Sequence, residues 1–455
     1  MDAPPPAQCR FLTCVRLLSL AFLALHLGVS ALPEDRAWGV WPFSTLPPLA
    51  RTSALLTAVF LIWPPVHRTV EAAWRWVEQA RLPRLPRAWG RALLAGLAAV
   101  PFWFGRLAHT RWGDAYILTQ AIPHPQVRLT YTWQAPLDLF LHAKLWALAH
   151  AWWGWDVMRL YHVVSVAAGV FFLYLLFWAA DDWGRCPLER HTFLGLITSL
   201  GMMQFFFGYV ENYTLIPIGI LAFLWLGLRH LRGSVPLWAV SLALALTNAF
   251  HPSTLVLLGQ RGNQGWRSAR AWVEGILPPI LVGAMVLALM EHGGHGLEAL
   301  FGADFPGGGD RRWFVPLWRT ETRWERYTLF SAGHLLDVAN EQLLVAPFTL
   351  PLLALAYGFL REPRPFSDPV ERFLAVAGLC YLGLTLVWNP DYGGRRDWDL
   401  FAPAALPLTA WLAYLLPRHL ENPRVLAGTA WAVLPAAFVH LAGWVYSNTL
   451  PWAWP

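Results

Sequence analysis

Apolar runs recur along almost the whole chain and constrain its fold more than any other feature. Several approach the ~20 residues that an α-helix needs to cross a bilayer. The 455 residues are 56% hydrophobic and 14% charged, whereas soluble domains are roughly 45–50% apolar and about 25% charged. The sequence therefore predicts an all-α polytopic membrane protein, a single transmembrane domain over residues 1–455 with about 12–13 transmembrane helices. The runs are Leu17–Leu32, Ala54–Ile62, Ala92–Leu107, Tyr161–Trp178, Phe193–Phe207, Leu215–Leu228, Leu237–Phe250, Thr254–Leu258, Ile276–Met290, Leu343–Leu360, Leu374–Val387, Phe401–Leu416 and Ala427–Tyr446.

The loops between these runs differ in charge, which predicts a topology. Arginines concentrate in alternate loops, the first within Arg68–Arg91, and the positive-inside rule makes these loops cytoplasmic. Residues 108–136 then form the first large outer loop, and residues 291–342 form an outer amphipathic loop. The assignment requires the short Thr254–Leu258 run to cross, because otherwise every later segment changes sides. The net charge of +6 follows from these loops, so we expect contact with membrane lipids and with no nucleic acid.

Four polar groups lie at predicted outer ends of helices, where ionisable residues facing a cavity are functional candidates. They occur around Gly113-Asp114, in Gly208–Tyr213, at His251 and in Asn389–Asp399. In the last group, adjacent arginines suit a phosphate through bidentate hydrogen bonds. The candidate site residues are Asp114, Tyr116, Glu211, Asn212, His251, Arg395, Arg396, Asp397 and Asp399.

Each group also has a purely structural interpretation. Asp114 is explained equally simply as a solvated loop carboxylate, and Glu211 as half of an internal salt bridge. His251, before a proline, is typical of a polar cap at a helix end. Arg395–Asp399 could be a self-neutralising surface cluster.

The order of these segments resembles the membrane-embedded GT-C glycosyltransferases, such as protein mannosyltransferases and lipid A aminoarabinose transferases. Asp114 follows a spanning helix, Pro136-Leu137 begins the next helix, and Gly208–Tyr213 opens another after the Arg159–Ser165 segment. The resemblance covers roughly Ala92–Arg232, about a third of the chain. Family members often carry an acidic pair in the first outer loop, where this chain has Asp114 alone.

The resemblance implies transfer of a sugar from a polyprenyl-phosphate-linked donor to a glycan, lipid or protein acceptor at the outer face of a bacterial inner membrane. Asp114 would be the general base, and Arg395 and Arg396 would hold the departing phosphate. Glu211 would bind sugar hydroxyls or position Asp114, and the other candidates would contact substrate. No cofactor is assigned with certainty; a divalent metal is compatible with the scheme, but no residue is assigned as its ligand.

Two other functions remain open from the sequence. A transporter or flippase for a lipid-linked or anionic substrate would use the same charged residues along its path, but would place ionisable groups near helix midpoints. A non-catalytic membrane assembly subunit would have no deep outer cavity and would tolerate changes of single carboxylates.

Overall fold

The computed structural model describes residues 4–66, 68–69, 86–124, 130–262, 268–301, 312–360, 366, 368–420 and 422–452. These residues are predominantly helical, and their only β-type pairing is an isolated bridge between Phe314 and Trp388. The predicted all-α class is therefore confirmed. The α-helices are α1 (Pro6–Gly28), α2 (Pro48–Ile62), α3 (Arg87–Leu97), α4 (Ala99–Phe104), α5 (Ala115–Ala121), α6 (Pro136–Trp153), α7 (Val157–Trp183), α8 (Pro187–Thr198), α9 (Ile216–Leu231), α10 (Leu237–Phe250), α11 (Ala269–His292), α12 (Leu297–Phe301), α13 (Ala332–Val345), α14 (Thr349–Phe359), α15 (Pro369–Val387), α16 (Trp398–Phe401), α17 (Ala405–His419) and α18 (Pro423–Asn448).

The helices are compatible with a multi-pass membrane protein. Fewer of them are long and apolar enough to cross a membrane than the sequence predicts. Within the described ranges, six segments are long and apolar enough to span: α1, α7, α11, α15, α16–α17 taken together, and α18. The pair α13 and α14 makes a seventh if its 89° bend is one broken span. The shorter apolar helices α2, α9 and α10 fall below a full span, so the predicted 12–13 spans are not reached by this criterion.

The difference in number arises because several apolar runs do not form one straight helix. Ala92–Leu107 divides at Ala98 into α3 and α4. Phe193–Phe207 becomes the end of α8 and a 3₁₀ helix over Gly201–Phe206. Leu343–Leu360 contains the bend between α13 and α14. A hydropathy pattern records how apolar a segment is, but not where its helix bends or tightens.

Successive helices run between two opposite faces of the protein, one marked by carboxylates and one by arginines. α9 begins five residues after Glu211 and ends near Arg229, whose Nε lies 3.8 Å from Asp182 at the end of α7. α16–α17 begins at Trp398, directly after Asp397, and ends at His419, directly after Arg418. We call the end that holds Glu211 and Asp397 the carboxylate face, and the end that holds Arg229 and Arg418 the arginine face.

The chain does cross between the two faces after Thr254. His251 lies at the carboxylate face, where its ring contacts Tyr213 at 4.8 Å between centroids. The start of α11 lies at the arginine face, because Glu274 accepts a hydrogen bond from the Leu237 amide at the start of α10. Between them, the 11-residue 3₁₀ helix over Pro252–Gly262 rises about 2 Å per residue and extends about 22 Å. The later segments therefore keep the alternation between the two faces.

The helix α17 is the centre of the bundle. An 18-residue apolar stretch of Trp398–His419 is buried throughout, whereas the other spans leave much of their surface exposed. α17 packs against α8, α14 and α15. The loop Asn389–Asp397 leads directly into this central element, so its charged side chains lie at the end of the protein core.

Because arginine-rich ends face the cytoplasm, we expect a membrane-impermeant maleimide to label Asp35→Cys, at the carboxylate face, in intact bacterial cells. The native Cys186, beside Arg185 at the arginine face, should react only after the membrane is permeabilised. Both positions are exposed in the structure. The measurement uses single-cysteine variants, and labelling of Cys186 in intact cells would reverse the orientation.

Candidate functional site

A tight turn at Gly113-Asp114 is the centre of the candidate site. Gly113 has a φ of +44°, a backbone conformation that glycine adopts without steric cost. A Cβ at this position would lie 2.9 Å from Asp399 Oδ2 and also collide with the Glu211 carboxylate. Two carboxyl groups from different segments thus reach the Gly113 backbone, and only glycine leaves room for both.

Glu211 and Asp399 are held behind this turn by hydrogen bonds that fix their orientation. Glu211 Oε1 accepts from the Asp114 amide, and its Oε2 accepts from the Asn212 amide at 2.8 Å. Asp399 Oδ2 accepts from the Tyr209 hydroxyl at 2.9 Å. Glu211 and Asp399 are 2% and 1% exposed. Glu211 is not half of a salt bridge within the described residues, since its partners are backbone amides.

Asp114 differs from these two acids because its side chain remains partly accessible. Its Oδ2 accepts a hydrogen bond from Gln134 Nε2 at 3.0 Å, and its Oδ1 accepts from the Tyr392 hydroxyl at 3.3 Å. The two donors come from the loop before α6 and the loop before α16. Asp114 is therefore an oriented carboxylate at the mouth of the site, not a freely solvated loop residue.

Arg396 lies next to Asp114, as the sequence predicts. Its Nη2 donates to the Gly113 carbonyl at 3.2 Å, and the Gly113 amide donates to the Arg396 carbonyl at 3.0 Å. Its guanidinium stacks over the Tyr392 ring at 4.2 Å, the same ring whose hydroxyl contacts Asp114. Gly113 and Arg396, which are 283 positions apart in sequence, thus lie on one surface.

Arg395 has a different role from its neighbour. It forms an ion pair with Glu34, which also pairs with Arg111 at 3.0 Å. Glu34 thus ties the Arg395 loop to the segment just before Gly113. Asp397 and Asp399 accept from the Tyr392 amide and the Tyr209 hydroxyl. The segment is not the self-neutralising cluster that one sequence interpretation allowed.

The electrostatic environment keeps protons on part of the acidic cluster. Burial, followed by the charges of Asp399 and Asp114, raises the pKa of Glu211 well above its ordinary value. Burial and the charge of Asp399 likewise raise the pKa of Asp397. Asp114, Glu211, Asp397 and Asp399 form no ion pair with a cation of the described residues. Close carboxylates in such surroundings share protons, since all of them cannot ionise together.

The other predicted residues lie at different distances from this centre. Asn212 is buried, and its Oδ1 accepts no hydrogen bond from the described residues. Tyr116 lies on α5 and is 48% exposed. The His251 ring contacts Tyr213, and its Nδ1 accepts from the Ser253 amide at 3.1 Å. Burial lowers the pKa of His251 to about 4. His251 therefore organises a turn, as the helix-end interpretation predicted.

Several residues of the site were missed by sequence reasoning. Asp337 accepts from the Gly394 amide at 3.2 Å, and Glu341 is buried beside the same glycine. These two acids lie four positions apart on α13, a spacing that places both on one helix face and could have identified them. Tyr392 lies within the polar group Asn389–Asp399 but was not chosen as a site residue, and Glu34 lies outside all four polar groups.

A second polar group is buried nearby on α6 and α7. His142 Nδ1 lies 3.1 Å from Asp138 Oδ2, and both side chains are fully buried. The His142 ring stacks on Tyr161 at 4.1 Å between centroids. Although burial alone would lower the pKa of His142, the Asp138 carboxylate outweighs it and raises that pKa. On the same helix as Tyr161, Ser165 accepts a hydrogen bond from the Tyr209 amide at 3.2 Å, and the Tyr209 hydroxyl donates to Asp399. This group therefore lies on a helix that contacts the carboxylate cluster.

Among the described residues, the geometry assembles no metal-binding set. Within the described ranges, no three His, Cys, Asp or Glu side chains are placed to hold one metal ion together. The acids of the cluster instead bond to backbone amides and tyrosine hydroxyls. The arrangement therefore combines the accessible Asp114 carboxylate and the Arg396 guanidinium with buried carboxyl groups behind them that share protons.

Comparisons with known proteins give no relative for this chain: no protein-family model, curated protein or solved structure matches it.

Replacing Gly113 tests the close approach at the turn. We expect Gly113→Ala to destabilise the protein by about 1–3 kcal/mol, the cost of a non-glycine residue in a strained backbone conformation, because its Cβ also displaces Glu211 and Asp399. Gly96→Ala is the matched control, since a Cβ there meets nothing within 4 Å and a helix favours alanine. The measurement is thermal unfolding in detergent, and equal effects of the two changes would remove the steric argument.

The raised pKa of Glu211 predicts a pH dependence with a definite sign. The folded protein binds the Glu211 proton more tightly than the unfolded chain does. The contribution of Glu211 to the free energy of unfolding therefore falls as pH rises above the ordinary pKa of a glutamate. We therefore expect the melting temperature of Glu211→Gln, relative to wild type, to rise between acidic and neutral pH. The exposed Glu298→Gln should show no such trend. A pH-independent difference for Glu211→Gln would contradict the shared-proton interpretation.

Proposed function

We propose that the protein is a membrane glycosyltransferase of GT-C type that moves a sugar from a polyprenyl-phosphate donor to an acceptor hydroxyl at the carboxylate face. The proposal rests on one observation. Asp114 accepts a hydrogen bond from the Tyr392 hydroxyl, and the Arg396 guanidinium stacks over the ring of the same tyrosine. A transfer of this kind needs a base for the acceptor and a cation for the leaving phosphate within reach of one sugar.

The roles follow from accessibility and charge. Asp114 is the accessible carboxylate and serves as general base, whereas the buried Glu211 holds the Asp114 amide and so positions it. Arg396 stabilises the phosphate that departs, and its planar guanidinium suits two phosphate oxygens. Arg395 supports the loop through Glu34. In this scheme the acceptor oxygen forms the new bond to the sugar, its proton passes to Asp114, and the sugar–phosphate bond breaks.

With the carboxylate face outside, the donor would be used at the outer surface of a bacterial inner membrane. The acceptor would be a glycan, a lipid or a protein that offers a hydroxyl at that surface. The resemblance over Ala92–Arg232 and the placement of Asp114 at the mouth of the site support this assignment.

A proton-coupled transporter is a second candidate, favoured by one observation. Glu211 and Asp399 are buried, close and short of cations, and protonatable carboxylates of this kind occur in proton relays of membrane proteins. A transporter would move the donor or another anion without breaking the sugar–phosphate bond. Product analysis therefore separates the two functions.

Transfer should depend strongly on Asp114. We expect Asp114→Asn to lower the rate by about 10²–10⁴, the usual contribution of general-base catalysis, while the protein still inserts. Membranes that contain the protein would be incubated with radiolabelled polyprenyl-phosphate hexoses and pentoses, and labelled products and released lipid phosphate would be measured. Asp35→Asn, an exposed acid at the same face, is the matched control.

Arg396→Lys extends the same test, because lysine keeps the charge but lacks the planar fork. A large loss of rate fits a phosphate ligand. Near-normal transfer by Asp114→Asn, or donor movement without bond cleavage in wild type, would reject the glycosyltransferase assignment.

A further inference from the structure

A cavity lies at the arginine face, at the opposite end of the central helix from the carboxylate cluster. Its volume is about 390 Å³, and it lies between the α7–α8 turn and the α17–α18 turn. Two arginines, Arg185 and Arg418, line it together with Glu189 and Cys186. Leu188 and the buried Leu426 also contribute to the lining, which is mostly polar. The 22-residue segment Trp398–His419, at 1.5 Å per residue, separates this cavity from the carboxylate cluster by about 30 Å.

One of the two arginines is neutralised within the cavity. Arg185 Nη2 lies 2.9 Å from Glu189 Oε1 and also donates to the Pro417 carbonyl at 2.8 Å. Burial alone would raise the pKa of Glu189, but hydrogen bonds from Arg185 outweigh it and lower that pKa. Glu189 is therefore ionised and its charge balances that of Arg185.

Arg418 supplies the charge that remains. Its guanidinium lies over the Tyr414 ring at 3.3 Å, and its Nη1 donates to the Tyr414 carbonyl at 2.7 Å. Among the described residues it forms no ion pair with a carboxylate. These contacts fix the guanidinium at the cavity, so the described lining residues include one more arginine than carboxylate.

One uncapped helix N-terminus adds to the positive potential of the cavity. α8 begins at Pro187 and has no side-chain cap, whereas Asn422 caps the first turn of α18. Leu188 and Glu189, in the first turn of α8, line the cavity. Amide groups at a helix N-terminus favour anions, and here they adjoin an arginine and a preformed space.

We propose that this cavity binds the phosphate group of an anionic membrane phospholipid, with Arg418 as its principal ligand. Basic pockets between transmembrane helices bind anionic lipid head groups, and this cavity places a cation at helix ends on the arginine face. Inorganic phosphate shares this chemistry, and a comparison of the two ligands distinguishes them. The site does not depend on the function proposed for the carboxylate face.

The exposed thiol of Cys186 provides a direct readout, because it lines the cavity. The full chain would be placed in nanodiscs of phosphatidylcholine, with or without phosphatidylglycerol, and the alkylation rate of Cys186 measured. Phosphatidylglycerol should slow this rate several-fold. The exposed Cys9, near the start of α1 at the same face, reports general effects of surface charge and should change little.

Two variants and a soluble ligand decide the source of protection. Arg418→Gln should abolish protection by phosphatidylglycerol, whereas Arg424→Gln, an exposed arginine outside the cavity lining, should retain it. Equal slowing of Cys186 and Cys9, or protection that survives Arg418→Gln, would overturn the proposal. Protection by inorganic phosphate in pure phosphatidylcholine nanodiscs would assign the site to soluble phosphate and overturn the lipid assignment.

If Arg418→Gln fails to fold, wild-type protein still gives a decisive result. A photoactivatable phosphatidylglycerol with its reactive group at the head group should crosslink to peptides that contain Arg185–Glu189 or Pro417–Leu426. Adducts confined to other peptides would reject the site.

Discussion

The structure of the carboxylate face depends on the burial of several carboxyl groups around one glycine. Glu211 and Asp399 meet at Gly113, and neither is paired with a cation of the described residues. Buried carboxyl groups are costly unless they are hydrogen-bonded or protonated. Hydrogen bonds offset that cost: the Asp114 and Asn212 amides donate to Glu211, and the Tyr209 hydroxyl donates to Asp399. Those donors fix the loops on which Asp114 and Arg396 are carried.

The central helix explains how segments far apart in sequence reach this point. The apolar stretch of Trp398–His419 is buried throughout, so it cannot move without disturbing the surrounding helices. The reciprocal backbone and side-chain hydrogen bonds between Gly113 and Arg396 then attach the first outer loop to the start of that helix. Glu34 adds a second attachment through Arg395 and Arg111. Asp114 is therefore placed by the core of the protein, although it lies in a loop.

The sequence predicted the class of fold and the main segments of the site for identifiable physical reasons. Apolar runs report burial in a low-dielectric environment, and charged residues at their ends are conspicuous in such a chain. The approach of Arg396 to Gly113 could be predicted because both lie at helix ends on one side. The separate tasks of Arg395 and Arg396 could not, because only the folded chain shows that Glu34 pairs with one of them. Helix bends, such as that between α13 and α14, also leave no clear mark in hydropathy.

The packing between the two faces bears on how the protein could work. A transport path needs polar or hydrated surroundings from one side of the membrane to the other. The middle of α17 consists of buried apolar residues, and its Thr409 hydroxyl is hydrogen-bonded to Thr349 at 2.7 Å. The charged groups are instead separated into one cluster at each end of that helix. This separation argues against movement of a charged substrate along α17 and is compatible with the chemistry that we propose at the carboxylate face.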